Sequence, residues 1–346
     1  MTDLKPYLIG AGLGLLGLGF VPLSGLLPSS AEPAQATALD WYFNLAAQQA
    51  ITLRSVGIDV PPLDAPGMVE RGAGHYEMVC ADCHGSPVGN PQQFARNLSP
   101  QPPLLVERMA QWHPEERVFA TVKHGIRRTA MPGWPTQMRD DEVWDMVAFL
   151  KALPDLEQSQ YAAMTSGATA NDCARCHGEN GEGVIPGIPR LDTQTPAYLE
   201  ATLKAFRDGT RQSGTMMAAA RALSDEQISE LAQRYGREVA EPVADGASDA
   251  AQIARFGIPD RDVPACDSCH GTAARPGYPK LDGQDADYLL SQLELFKLLG
   301  ADRGGPNAHI MAEVVRGLEG EQIKALAEWY GAGEITRTPQ DLPRHP

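Results

Sequence analysis

The chain has 346 residues, enough for two or three domains, and a formal net charge of −15 at pH 7. Such an acidic chain is not expected to bind nucleic acid, because it has no row of cationic side chains that would neutralise phosphates. Only 6% of the residues are aromatic, while 28 prolines and 34 glycines favour short helices joined by long loops. We therefore predict an all-α fold.

An apolar stretch lies near the N-terminus. Residues 8–27 contain no charged side chain and are about long enough to cross a bilayer as a helix. Lys5 precedes the stretch, which predicts a cytoplasmic N-terminus and a periplasmic location for the rest, at a bacterial inner membrane. Residues 1–30 are thus a predicted transmembrane anchor. A cleaved signal peptide is the alternative, because Ala34-Gln35-Ala36 resembles a cleavage site.

Residues 31–61 follow as a predicted juxtamembrane helix and linker. Trp41 and Tyr42 lie among small and polar residues, which suits a membrane interface or the surface of a partner subunit. Pro61 and Pro62 are expected to end this segment.

All six cysteines belong to three evenly spaced copies of Cys-x-x-Cys-His. In each copy two thiols can add across the vinyl groups of a haem, and the adjacent histidine can bind the iron. A redox dithiol, a zinc site or a disulfide framework could also use a Cys-x-x-Cys pair, but three copies that each end in His-Gly favour haem. The pattern predicts three covalently bound haem c groups. The predicted attachment residues are Cys80, Cys83, Cys173, Cys176, Cys266 and Cys269.

The first segment, residues 62–155, is predicted to begin and end with a helix. The opening helix carries Gly72 and runs into Cys80. The closing helix, residues 140–150, has acidic residues in its first turn and an apolar stripe on one face. We expect Gly72 to allow a close approach of the two helices, with Trp144 filling the contact.

The second segment, residues 160–240, and the third, residues 247–336, are similar in sequence. Residues 189–194 of one match residues 279–284 of the other, and the register continues towards the end of each segment. Such self-similarity indicates a duplicated unit. Three further stretches are predicted to be linkers or a loose tail: residues 153–166, 240–246 and 337–346.

The second axial position of each iron decides between electron transfer and catalysis. A methionine lies after each motif and before the closing helix of its segment. A thioether ligand raises the reduction potential and prevents oxygen or peroxide from binding. The predicted axial pairs are His84 with Met131, His177 with Met216, and His270 with Met311. Met217 is the alternative to Met216, which the helix register aligns with Met311.

Basic side chains near the motifs are candidates for contacts with haem propionates. Residues 123–128 form the densest basic run, which is a propionate contact, a docking site for an acidic protein, or a solvated loop. Arg190 and Lys280 follow a proline at matching points of the second and third segments, and are placed similarly.

Together these motifs make each segment resemble a class I cytochrome c domain. Residues 160–335 resemble a dihaem cytochrome c4 through their shared Pro-[Arg/Lys]-Leu, Gln and Tyr-Leu pattern. The first segment resembles the single-haem domains of membrane-bound multihaem cytochromes, through residues 72–76, 123–126 and 131–134. The resemblance implies three tandem class I cytochrome c domains behind an N-terminal transmembrane helix.

The resemblance also implies electron transfer rather than enzymatic turnover. The expected partners are redox proteins: a terminal oxidase, a membrane dehydrogenase or a small cytochrome. The alternative is a haem enzyme, such as a peroxidase or a thiosulfate-type dehydrogenase, in which one axial position is open or replaced. The chain shows no dinucleotide fingerprint and no nucleophile paired with a base, which favours the carrier.

Overall fold

The computed structural model describes residues 38–111, 113–165, 173–237, 248–271 and 277–333. Within these ranges the regular structure is helical, and β-type pairing is confined to three isolated bridges. The predicted all-α fold is confirmed for this part of the chain. The predicted anchor, the linker 240–246 and the tail 337–346 lie outside the described residues.

The helices follow the order of the three segments. The first group is α1 (Ala38–Ser55), α2 (Met68–His75), α3 (Ala81–His84), α4 (Gln93–Arg96), α5 (Leu105–Met109), α6 (Glu115–His124), α7 (Asp140–Ala152) and α8 (Gln158–Thr165). The second group is α9 (Ala174–His177), α10 (Pro196–Arg207), α11 (Gly214–Ala220) and α12 (Asp225–Tyr235). The third group is α13 (Asp249–Phe256), α14 (Asp267–His270), α15 (Ala286–Leu299), α16 (Ala308–Arg316) and α17 (Gly320–Gly331). Short turns complete these groups: the π-helical turn Tyr76–Cys80 and the 3₁₀ turns Leu153–Asp155, Pro259–Arg261 and Gly300–Arg303.

The core of the first segment is built on the contact between α2 and α7. A Cβ on Gly72 would lie 2.4 Å from the Asp145 carbonyl oxygen and 2.5 Å from Phe149 Cβ, so the close approach predicted at this glycine is confirmed. Trp144 does not fill the contact and instead stacks on Phe119 of α6, with ring centroids 4.2 Å apart. Asp145 and Phe149 are four positions apart and share one face of α7. Successive helix positions are about 100° apart, so Trp144 points away from that face.

The stretch 153–166, predicted as a linker, is folded as far as Thr165. It contains α8, whose Tyr161 is 0% exposed and belongs to the same core as Phe149. The Tyr161 hydroxyl donates a hydrogen bond to Glu77, at 2.5 Å. Leu153 and Tyr161, both 0% exposed, therefore fix this stretch to the first segment, and Leu156 and Met164 pack against the same core. These scattered apolar side chains gave no periodic signal in the sequence.

The duplication seen in the sequence is repeated in the helices. α10, α11 and α12 of the second segment correspond in order to α15, α16 and α17 of the third. α12 and α17 both begin with a capping box, at Ser224 with Gln227 and at Glu319 with Gln322. Matching caps at matching helices support the interpretation of a duplicated unit.

The predicted inner-membrane localisation is contradicted by the helices that the structure describes. In the part of the chain that the structure describes, no helix is long and apolar enough to cross a membrane. The longest, α1, has 18 residues, carries Asp40 and Arg54, and packs against α6 of the first segment. A spanning helix needs about 20 predominantly apolar residues, so α1 is not one. Residues 8–27, on which the prediction depended, lie outside the described residues.

Candidate haem-binding sites

Each Cys-x-x-Cys-His motif forms one turn of helix. α3, α9 and α14 begin directly after the first cysteine of a motif and end at its histidine. Positions i, i+3 and i+4 of a helix lie on the same face, so both thiols and the imidazole of a motif share one side. None of the six cysteines forms a disulfide. This geometry suits two thioether bonds and one iron ligand per motif.

The three motif histidines share one hydrogen-bonding pattern, in which Nδ1 faces a proline carbonyl oxygen. The pairs are His84 with Pro103 at 2.9 Å, His177 with Pro189 at 2.9 Å, and His270 with Pro279 at 2.8 Å. A carbonyl oxygen only accepts hydrogen bonds, so Nδ1 carries the proton and Nε2 keeps its lone pair. The surrounding loop therefore selects the tautomer that binds iron through Nε2.

Burial sets the protonation of the motif side chains. It lowers the pKa of His84, His177 and His270, and the bond to the proline carbonyl only partly opposes this, so the imidazoles are held neutral. Burial also raises the pKa of Cys80 to about 12 and that of Cys266 to about 11. A reactive dithiol needs a lowered cysteine pKa, so these thiols lack the property expected of a redox dithiol.

One cavity of about 1250 Å³ contains the second and third motifs together. Its wall includes both cysteines and the histidine of each motif, and the methionine predicted to face each iron. These residues are Cys173, Cys176, His177 and Met216 of the second segment, and Cys266, Cys269, His270 and Met311 of the third. Pockets for a single small ligand are roughly 300–1,000 Å³, so this volume suits two cofactors side by side.

α11 carries both of the methionines that the sequence left as alternatives. Met216 lines the cavity with His177. The Met217 methyl group lies 3.8 Å from where a Cβ on Gly209 would be. Neighbouring positions on a helix point about 100° apart, so only one of the two can face the cavity. This placement favours Met216 as the sulfur ligand.

Two buried arginines that the sequence analysis did not single out also line the cavity. Arg211 is 4% exposed and Arg303 is 7% exposed. Each guanidinium stacks on a phenylalanine ring, Phe206 and Phe296 respectively, at 4.6 Å from the centroid. Among the described residues neither arginine pairs with a carboxylate. Burial, together with the charge of Arg211, lowers the pKa of Arg303 to about 9.

Buried cations of this kind call for an anion, because an unpaired buried charge is costly. The propionates of a haem would supply one, so the cationic residues fit the same cofactor as the thiols, imidazoles and thioethers. The sequence did hold a signal for Arg211 and Arg303: each follows, within the duplicated unit, the phenylalanine on which it stacks.

Arg190 and Lys280, the propionate contacts proposed from the sequence, also line the cavity but have protein partners. Arg190 forms an ion pair with Asp192 at 2.9 Å. The Lys280 ammonium donates to the carbonyl of Gly271 at 3.0 Å. Their side chains are therefore already engaged close to the histidine loops.

Met131 of the first segment lies in a loop held against the end of α6. The N–H of Ile126 donates to the Met131 carbonyl at 3.2 Å, and the N–H of Trp134 donates to the Lys123 carbonyl at 3.0 Å. A Cβ on Gly125 would lie 2.5 Å from the backbone of this loop, and its φ is +63°. Only glycine allows this packing, which fixes the half-buried Met131 in place.

The basic run 123–128 contacts α7 of its own segment and α1, which precedes that segment. Lys123 forms an ion pair with Asp140 at 2.5 Å. The guanidinium of Arg128 lies 4.1 Å from the centroid of the Phe43 ring, on α1. These contacts give the run a structural role that the sequence did not predict.

The first segment contacts the second motif directly. Gly74 of α2 lies so close to Cys176 that a Cβ on the glycine would be 2.8 Å from the sulfur. His75 is 3% exposed, lines the cavity, and packs against Trp134 with ring centroids 4.2 Å apart and ring planes tilted by 31°. Its Nδ1 has no hydrogen-bond partner among the described residues, and burial lowers the pKa of His75 to about 4. A neutral imidazole and an indole thus lie between the Met131 loop and the second motif.

Glu142 of α7 makes a second contact between these segments. Its carboxylate accepts hydrogen bonds from Ser213 Oγ at 2.5 Å, the Gly214 N–H at 2.6 Å and Trp134 Nε1 at 3.2 Å. Ser213 is the N-cap residue of α11, the helix that carries Met216. The first segment therefore helps to fix the start of the helix that holds the candidate sulfur ligand of the second.

Several known proteins are similar to this chain. Residues 67–150 match the family described as cytochrome C oxidase, cbb3-type, subunit III, and residues 166–233 match the cytochrome c family. A thiosulfate dehydrogenase electron acceptor of Thiomonas intermedia (strain K12) is 31% identical over 209 residues, which are 58% of this chain and 94% of that protein. A cytochrome c4 of Thiocapsa roseopersicina is 32% identical over 165 residues, 45% of this chain and 84% of that protein. A solved cytochrome c4 structure from Acidithiobacillus ferrooxidans is 28% identical, covers 47% of this chain and 99% of its own, and has a TM-score of 0.41.

The helical fold and the Cys-x-x-Cys-His turns define a protein that holds haem c and transfers electrons. The chain belongs to the cytochrome c family. Its similarity to that cytochrome c4 covers 45% of its length, and residues 67–150, within the first segment, match the cbb3-type family.

Proposed function

We propose that this chain relays electrons through three covalently bound haem c groups, one in each segment. The segments keep the bounds predicted from the sequence, 62–155, 160–240 and 247–336, except that α8 packs on the core of the first segment. The attachment residues are Cys80 with Cys83, Cys173 with Cys176, and Cys266 with Cys269. The axial ligands are His84 with Met131, His177 with Met216, and His270 with Met311.

The observation that carries this proposal is the single cavity shared by the second and third motifs. Bound haem iron supplies the one-electron chemistry. The two cysteines of each motif would hold a haem by thioether bonds, the proline carbonyl selects the histidine tautomer, and the methionine sulfur would be the second iron ligand. Because residues of both motifs line one cavity, two haems bound there would be near enough to exchange electrons directly.

The contact between Gly74 and Cys176 supports a path from the first segment to the second. If Cys176 attaches the porphyrin, the backbone of α2 would lie next to that haem, because Gly74 contacts the Cys176 sulfur. His75, the residue after Gly74, packs against Trp134, which follows Met131 by three residues. The order of transfer is therefore first, second and third haem along the chain, in either direction.

The partners in this proposal are redox proteins. About half of the chain or more is similar to proteins named as electron acceptors of thiosulfate dehydrogenase, which supports a dehydrogenase as electron donor. The first segment matches a family named for an oxidase subunit, which supports a terminal oxidase, or a small cytochrome serving it, as acceptor. The net charge of −15 favours partners with basic docking faces.

The test is to count the haems and their sulfur ligands. Mass and pyridine haemochrome should give three haems per chain. Met131→Ala, Met216→Ala and Met311→Ala should each remove about one third of the near-infrared band that reports methionine bound to ferric haem. Met217→Ala is the matched control and should leave the band intact.

Two results would contradict the proposal. Loss of the band in Met217→Ala but not in Met216→Ala would reverse the ligand assignment in the second segment. A wild-type band that accounts for fewer than three haems, together with turnover of peroxide, would favour the haem enzyme.

A further inference from the structure

In the second and third segments, the proline whose carbonyl faces the motif histidine is followed by a residue that a glutamine binds. That glutamine belongs to the other of the two segments. The N–H of Arg190 donates to Gln284 Oε1 at 2.6 Å, and Gln284 Nε2 donates to the Arg190 carbonyl at 2.9 Å. Likewise the N–H of Lys280 donates to Gln194 Oε1 at 3.0 Å, and Gln194 Nε2 donates to the Lys280 carbonyl at 2.8 Å. Each glutamine thus binds both main-chain groups of one residue in the other segment. We call Gln194 and Gln284 the glutamine clamp.

These bonds reach the candidate iron ligands through a single peptide group. The carbonyl of Pro189 and the N–H of Arg190 belong to the same amide, and that carbonyl accepts from His177 Nδ1. Hydrogen bonds in a chain polarise one another, so an amide whose N–H donates becomes a stronger acceptor at its carbonyl. Gln284 therefore strengthens the hydrogen bond made by His177. The equivalent path runs from Gln194 to the histidine of the third segment.

The clamp is buried, so water does not compete for its hydrogen bonds. Gln194 and Gln284 are each 3% exposed, so water does not replace either amide. The first segment has the same histidine-to-proline bond without a clamp. There Leu104, which follows Pro103, is 41% exposed, and among the described residues no side chain bonds to its N–H. The first segment is therefore an internal reference.

We propose that Gln194 and Gln284 are positioning residues, each of which tunes the haem of the opposite segment. The inference rests on the proposed function, because it needs a haem at both motifs. A stronger hydrogen bond from Nδ1 makes the imidazole a better electron donor, which favours ferric iron. Removing one glutamine should therefore raise the reduction potential of the haem in the other segment.

The test is Gln284→Met, which keeps the side-chain length and removes both hydrogen-bonding groups. We expect the equilibrium constant for reduction of the second-segment haem to rise about two- to tenfold, roughly 20 to 60 mV at 59 mV per tenfold change. The third-segment haem, in the segment that contains the mutation, should keep its potential. Gln194→Met should raise the potential of the third-segment haem and leave that of the second-segment haem unchanged. The readout is an NMR-monitored redox titration, with each haem assigned by through-space contacts to its own segment.

Gln212→Met is the matched control. Gln212 also joins two segments, because its side chain accepts a hydrogen bond from Thr136 at 2.6 Å, but it does not touch a proline peptide. It should shift neither the second nor the third haem. A shift of the haem in the mutated segment itself, equal shifts in both haems, or no shift in either would overturn the proposal.

Hydrogen exchange in the unmutated protein gives a second test that does not depend on variants folding. The N–H groups of Arg190 and Lys280 should exchange at least tenfold more slowly than that of Leu104, because the clamp buries and bonds them. Equal exchange at the three sites would overturn the clamp. Its failure is distinguishable from failure of the proposed function: fewer than three haems in the wild-type protein refutes the function, whereas three haems with unshifted potentials in both variants refutes only the clamp.

Discussion

Replacing Gly72 by alanine should loosen the core of the first segment. The added methyl group would lie 2.4 Å from the Asp145 carbonyl oxygen and 2.5 Å from Phe149 Cβ, so α2 and α7 must move apart. Overpacking against a backbone that cannot rotate away costs about 3 kcal/mol. The higher helix propensity of alanine returns about 1 kcal/mol. The expected net loss is about 2 kcal/mol.

Hydrogen exchange of the full-length, haem-loaded protein measures this loss where it occurs. A loss of about 2 kcal/mol in local stability is roughly a 30-fold faster exchange, which should appear in peptides from α7 and not in peptides from α17. Gly320→Ala is the matched control, because Gly320 is also a helical glycine, the first residue of α17, and nothing lies within 4 Å of the added methyl group. Exchange of α7 that is as slow in Gly72→Ala as in Gly320→Ala would refute the reasoning.

Two further predictions concern pH and partners. The folded-state pKa of His75, about 4, lies below the ordinary 6.5, so the stability it contributes is fully present above about pH 6.5 and is lost as the pH falls through 4. Urea unfolding should show a loss of about 3 kcal/mol between pH 7 and pH 4 that His75→Phe lacks, and parallel pH curves for the two proteins would contradict this. In stopped-flow mixing, a thiosulfate-reduced thiosulfate dehydrogenase should reduce the haems at a rate that falls as salt rises, because acidic surfaces steer basic partners. No reduction, or a rate independent of salt, would argue against this donor and docking face.

The sequence by itself determined the features that depend on neighbouring residues. The Cys-x-x-Cys-His spacing carries the haem chemistry within one helical turn, and the helical period together with the self-similarity of the second and third segments indicated the α-fold and the duplication. The close approach at Gly72 was also predictable, because a glycine in a helix indicates a nearby backbone.

Only the tertiary structure decided which segments touch and through which residues. Three contacts join residues that are far apart in the chain. They are the clamp of Gln194 and Gln284, the hydrogen bonds between the Glu142 carboxylate and the start of α11, and the contact of Gly74 with Cys176. Such contacts leave no periodic pattern in the sequence, because each is stabilised by polar or small groups that are distant in the chain and are buried together. For the same reason a stretch predicted as a linker proved to be folded, since Leu153 and Tyr161 are both buried in the core of the first segment.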